Sequence, residues 1–169
     1  MRSRRHRGAA LAAVARTAEA LIAAGAQVDT SCGNNYYVTS LYIAAYNNCA
    51  DVVGQLIAAG ADVDAPRSGT GATPLCTTVC AEHVDVFVRL MAAGADVNKA
   101  RTDNNITPLH AAAHHGNLDV VDTLIAAQAN VNTARIAGVT PLNAAVARGH
   151  TDVAQQLRAA GAYRWVDIY

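Results

Sequence analysis

The sequence predicts an all-α solenoid: short helix–turn–helix units stacked side by side, joined by β-hairpin fingers, about five units with degenerate end caps. Three observations predict it. A threonine-led tripeptide recurs at Thr39-Ser40-Leu41, Thr73-Pro74-Leu75, Thr107-Pro108-Leu109 and Thr140-Pro141-Leu142, at intervals of 34, 34 and 33 residues. A second marker keeps the same phase, at Gly25-Ala26-Gln27-Val28-Asp29, Gly60-Ala61-Asp62-Val63-Asp64, Gly94-Ala95-Asp96-Val97-Asn98 and Gln128-Ala129-Asn130-Val131-Asn132, with Gly161-Ala162 opening a degraded copy. Two markers locked at one spacing are the signature of a repeat architecture. Composition agrees: 52% of residues are hydrophobic, but 38 of 169 are alanine and only 5% aromatic, so close helix contacts rather than large anchors must build the core.

The elements follow in order. Residues 1–8 read as a disordered basic tail. Ser3-Arg4-Arg5-His6-Arg7, the apolar stretch to Ala15 and Ala13-Val14-Ala15 also resemble a twin-arginine export signal, although that stretch is short and Arg16 and Glu19 follow it at once. Residues 9–169 read as one repeat domain, with a partial unit over 9–30, internal units over 31–64, 65–98 and 99–132, and a last unit with its cap over 133–169. Within each unit the threonine caps a helix, and proline suits the first helical position, where its missing N–H is not needed. A short alanine-rich helix follows, such as Leu109 to His115, then a turn such as Gly116-Asn117 or Gly149-His150. A second helix shows apolar pairs four residues apart: Val52-Val53/Leu56-Ile57, Val86-Phe87/Leu90-Met91 and Val120-Val121/Leu124-Ile125. Asp51, Asp85, Asp119 and Asp152 stand at the positive end of its dipole. Glycine in a left-handed conformation ends that helix, and an extended hairpin returns the chain to the next threonine.

These residues resemble the ankyrin repeat, whose signature contains T-P-L-H-x-A, as in Thr107-Pro108-Leu109-His110. The resemblance covers four nearly complete units over residues 31–165 and a partial first one, where Ala9-Ala10 and Leu21-Ile22-Ala23-Ala24-Gly25 fall in phase but Arg4 to Arg7 replace the motif. Tyr163, Trp165 and Tyr169 read as a cover for the last apolar flank. Two departures should cost stability. Gln128 replaces glycine at a left-handed position, and Glu82 occupies the turn position of Gly116 and Gly149, a geometry that Asn48 tolerates better.

The resemblance implies a concave strip of fingers and first-helix surfaces that binds another protein. Position-for-position transfer puts Tyr46/Asn47, Cys80/Ala81, His114/His115 and Ala147/Arg148 on the helix part of that strip. It puts Tyr36, Tyr37, Ser68, Thr70, Asp103, Asn104 and Ile136 at the finger tips. Tyr36, Tyr37 and Tyr46 are the anchor candidates, the alternative being that they cover a lengthened loop. A further pattern belongs to this sequence alone: Arg67, Arg101 and Arg135 each follow a Val-Asp or Val-Asn pair by three residues, which predicts a ladder along one edge near Lys99. With His115 and Arg148 the ladder suits an acidic partner segment; alternatively the arginines pair locally with Asp64 or Asp103.

Other classes are disfavoured. The 13 basic and 13 acidic residues balance, and without the four tail arginines the body carries 9 against 13, a net charge of −4, unsuited to nucleic acid. No apolar run reaches the roughly 18 residues of a membrane span. None of Ser3, Ser31, Ser40 and Ser68 sits in a nucleophile elbow, and Gly69-Thr70-Gly71 lacks a phosphate loop's lysine, so no catalytic residue and no cofactor are expected. Cys32, Cys49, Cys76 and Cys80 match no disulfide framework, which favours free thiols in the cytoplasm and a monomeric, non-catalytic binding module. The alternative is a metal- or thiol-responsive protein using Cys76, Cys80, His110 and His114, whose x₃ spacings place ligand pairs on equivalent faces of neighbouring helices.

Overall fold

The computed structural model describes residues 16–29 and 37–163. The arginine tail with its export-like motif, the start of the partial unit, Cys32, Tyr36, Trp165 and Tyr169 lie outside the described residues. A helical stretch over residues 16–23 (α1) precedes four helix pairs: α2 (Ser40–Tyr46) with α3 (Ala50–Ala58), α4 (Pro74–Cys80) with α5 (Val84–Ala92), α6 (Pro108–His115) with α7 (Leu118–Ala126), and α8 (Pro141–Arg148) with α9 (Thr151–Ala159).

The marker threonines start the first helix of every pair. Each holds extended backbone while its Oγ1 accepts the N–H three residues on: Tyr42 N at 3.2 Å, Cys76 N at 3.1 Å, His110 N at 3.3 Å and Asn143 N at 3.2 Å. In α6 and α8 the bond is reciprocated, because His110 Nδ1 and Asn143 Oδ1 accept the threonine N–H at 3.2 Å. Loss of such a cap costs about 1 kcal/mol. Left-handed residues end the helices where the sequence requires them. Gly60, Gly94 and Gly161 follow the second helices with φ of 84°, 80° and 88°, and Gln128 takes the same place at 65°. Between paired helices stand Gly116 (73°) and Gly149 (77°), but also Asn48 and Glu82, both at 57°.

The pairs form two layers. First helices pack in a row, α2 on α4, α4 on α6 and α6 on α8, and second helices back them, with α3 on α5 and α7 on α9. Two leucine ladders fill the space between: Leu41, Leu75, Leu109 and Leu142 from the first layer, and Leu56, Leu90, Leu124 and Leu157 from the second, all buried. Each contributes about 2 kcal/mol by leaving water. Ala18 and Ile22 of α1 pack against the same core.

Side-chain clips join successive units at the base of the fingers. The carboxylate of Asp29 accepts the N–H of Asp62 (3.1 Å), Asp64 accepts that of Asp96 (3.0 Å), Asn98 that of Asn130 (2.7 Å), and Asn132 that of Tyr163 (3.2 Å). The two asparagines also donate, Asn98 Nδ2 to Gln128 O (3.2 Å) and Asn132 Nδ2 to Gly161 O (3.1 Å). The fingers depart from the extended hairpins expected. Among the described residues they are tight turns closed by Arg67 N to Ala72 O, Arg101 N to Ile106 O and Arg135 N to Val139 O. Among the described residues, Val38 is the one that takes part in a β-bridge. Only about six residues span each turn, too few to extend a strand ladder. Neighbouring fingers are tied by Ser68 N to Tyr37 O, Thr102 N to Thr70 O and Ile136 N to Asn104 O.

Candidate binding groove

Two cavities lie where the fingers overhang the first helices. The larger, about 610 Å³, runs between α6, α8 and their fingers, with Ile106, Ala111, Val139, Ala144 and Val146 on its walls. Its polar lining is His110, His114, His115, Arg135, Asn143, Arg148 and Cys80, without a carboxylate. The smaller, about 250 Å³, is lined by Tyr42, Tyr46, Arg67, Cys76, Thr77, Cys80, Ala81 and Arg101. Cys80 borders both.

Charge in the larger cavity is set by close packing of basic groups. Arg148 Nη2 donates to His114 Nε2 at 2.6 Å, which requires that nitrogen to be unprotonated. Burial, then the neighbouring Arg148, His115, His150 and Arg135, hold His114 below the usual histidine range. His110 is buried, with Nδ1 accepting from Thr107 N and Nε2 meeting Val139 O at 3.0 Å. That pairing fixes the neutral tautomer with its proton on Nε2. Burial depresses its pKa as well. His115 Nδ1 lies 3.4 Å from Glu82 at the rim.

The structure sorts the sequence candidates into three groups. Arg135, His114, His115 and Arg148 converge on the larger cavity, and Tyr46, Arg67 and Arg101 on the smaller. Ser68, Thr70, Asp103, Asn104 and Asn47 are engaged in local structure. Ser68 Oγ accepts Tyr37 N (2.8 Å), Thr70 Oγ1 accepts Ala72 N (3.4 Å), Asn104 Oδ1 accepts Ile106 N (3.0 Å), and Asn47 Nδ2 donates to Ile43 O (2.8 Å). Asp103 binds Arg101 through both carboxylate oxygens, with Nε to Oδ1 at 3.0 Å, so Arg101 of the ladder is locally paired. That bond holds the Asp103 carboxyl below its ordinary pKa and raises Arg101. Tyr37 and Ile136, both 63% exposed, line neither cavity. Tyr36 lies outside the described residues. Tyr42, Ile106 and Val139 were absent from the sequence candidates; Ile106 and Val139 each stand directly before a marker threonine, and that position is the signal that could have found them.

Cys76, Cys80, His110 and His114 do not assemble a metal centre. Both ring nitrogens of His110 are spent on Thr107 and Val139, and among the described residues no three His, Cys, Asp or Glu side chains gather as ligands. Cys76 Sγ instead faces Ile106 O at 4.0 Å, in the slot that His110 fills against Val139 O in the next unit.

A family model for ankyrin repeats, built on three copies, matches residues 8–101, 41–135 and 75–165. No curated protein matches the chain. With the period, the threonine-capped helix pairs and the family match coinciding over most of its length, the chain belongs to the ankyrin repeat family.

Proposed function

We propose that the protein is a non-catalytic interaction module of about five units, monomeric and cytoplasmic, that binds a partner protein along the concave face of its fingers and first helices. Ankyrin repeats are in general protein–protein interaction modules. The observation that carries the finer reading is the larger cavity: apolar walls beneath Arg135, Arg148, His114 and His115, with no carboxylate in the lining. Such a site suits a partner segment that sets an acidic side chain beside apolar ones. Tyr46 extends the same strip over the preceding units, beside Arg67 and the Asp103-paired Arg101. Rigid stacked helices lose little entropy on docking, so fixed side chains can discriminate.

Selection of displayed random peptides on the full chain tests this. The expected consensus pairs Asp or Glu with apolar residues, and Arg135→Ala and Arg148→Ala each weaken the selected peptides by about thirtyfold or more, in line with truncation of one member of a desolvated charge pair. Peptides free of acidic residues, or binding both variants as tightly as the parent, would overturn the assignment.

A further inference from the structure

The polar lining of the larger cavity consists mainly of hydrogen-bond donors. Arg135 comes from a finger and Arg148 from the end of α8, and both are exposed. Among the described residues neither pairs with a carboxylate, unlike Arg89 with Asp51 and Arg101 with Asp103. Arg148 donates instead to His114 Nε2 at 2.6 Å, so the proton of that neutral ring sits on Nδ1, a further donor. Asn143 Oδ1 is taken by Thr140 N at 3.2 Å and Thr140 Oγ1 at 2.8 Å, which leaves its Nδ2 amide for the cavity. His110 adds no acceptor, since both its nitrogens are occupied within the fold. Two guanidinium groups without a counter-charge, flanked by neutral donors, call for a ligand group that only accepts and carries more than one negative charge.

We propose that the acidic residue of the partner is a phosphoserine, its phosphate seated between Arg135 and Arg148 while the flanking residues lie on the apolar walls. A carboxylate brings two oxygens and one charge to two guanidinium groups. A phosphate monoester brings three acceptor oxygens and a charge of about −1.5 to −2 at neutral pH, which matches them. The single-carbon stem of serine keeps the partner main chain close to the surface, so side chains on either side of it reach Ile106, Val139 and Val146. The positive field is local. Setting aside the four tail arginines, the body has 9 basic against 13 acidic residues, and Glu82 stands at the rim beside His115. Such surroundings repel an extended polyanion such as RNA. His114 feels the same uncompensated field: burial first, then Arg148, His115, His150 and Arg135, hold its pKa down. This inference rests on the partner reading and narrows it to a modified partner.

Three peptide libraries, each with random residues around a fixed central phosphoserine, glutamate or serine, are passed over the immobilised full chain. The buffer is held at about pH 7.5, where a second pKa of about 6 leaves the phosphate mostly dianionic. The phosphoserine library should be retained about tenfold better than the glutamate library, the yield of one added charge-assisted bond, with apolar residues enriched at the flanks. Arg135→Ala and Arg148→Ala, checked as folded by circular dichroism, should each bring that ratio to within about threefold. Phosphoserine and glutamate libraries both held no better than serine sink the partner reading, and this inference with it. A glutamate library held above serine but equal to phosphoserine, or a ratio unchanged in both variants, overturns this inference alone. Tighter capture of an RNA oligonucleotide through the same two arginines overturns it as well.

Discussion

Gln128 provides a test of how much a left-handed residue costs this stack. It follows α7 with φ of 65°, where the equivalent Gly94 follows α5 with φ of 80°. A side chain built at Gly94 meets nothing within 4 Å, so crowding is absent and a Gly94→Gln exchange isolates the backbone. Gln128 is exposed, and its carbonyl, which Asn98 holds, survives substitution. Moving a non-glycine residue into the left-handed region costs about 1–2 kcal/mol, reduced by roughly 0.5 kcal/mol because glycine gains more freedom in the unfolded chain. Gln128→Gly should therefore stabilise by about 1 kcal/mol and Gly94→Gln should destabilise by a like amount. For a domain of this size that is about 2–4 °C in Tm either way, followed by helical circular dichroism during heating. Gly116→Ala sets the opposite limit, since its Cβ would overlap the His150 ring that holds His114 O at 3.1 Å. Strain and the lost bond together should exceed about 2 kcal/mol. If Gln128→Gly leaves Tm unchanged while Gly94→Gln is silent, backbone strain is not what these positions store.

Two further outcomes follow from the clips and the buried histidine. Asp64→Ala removes the acceptor of Asp96 N and should cost about 1 kcal/mol, seen as faster hydrogen exchange at the Asp96 amide than at the Asn130 amide, whose clip is untouched. His110 is held neutral with its pKa depressed in the folded chain. The unfolded chain therefore binds more protons below about pH 6.5, and stability present above that pH falls as acid is added, by at most about 1.4 kcal/mol per pH unit for each such histidine. His110→Asn reproduces the Thr140–Asn143 box and should flatten that fall in urea titrations at pH 7 and pH 5.

The parts of the fold legible in the sequence are those a residue settles with its own neighbours. Thr73 caps Cys76 three residues on, and Gly94 or Gln128 turns left-handed at the end of its own helix, so type and spacing suffice to read them. The clip residues were legible as a periodic mark but not as a bond, because Asp64 acts on a backbone N–H 32 residues away whose position depends on stacking. The same limit governs the groove. Arg67, Arg101 and Arg135 were found by periodicity, yet the pairing of Arg101 with Asp103 depends on how tightly the finger turns. Likewise, the x₃ spacings of Cys76 and Cys80 and of His110 and His114 admitted a shared metal. Only the placement of α6, whose His110 is occupied by Thr107 and Val139, removes it.

The clips also set how the molecule carries load. Each ties a side chain of one unit to the main chain of the next, and the helix rows bear only on adjacent units. Tension applied at the two ends is then met by junctions in series, so extension proceeds by peeling units one after another and the force trace is a staircase.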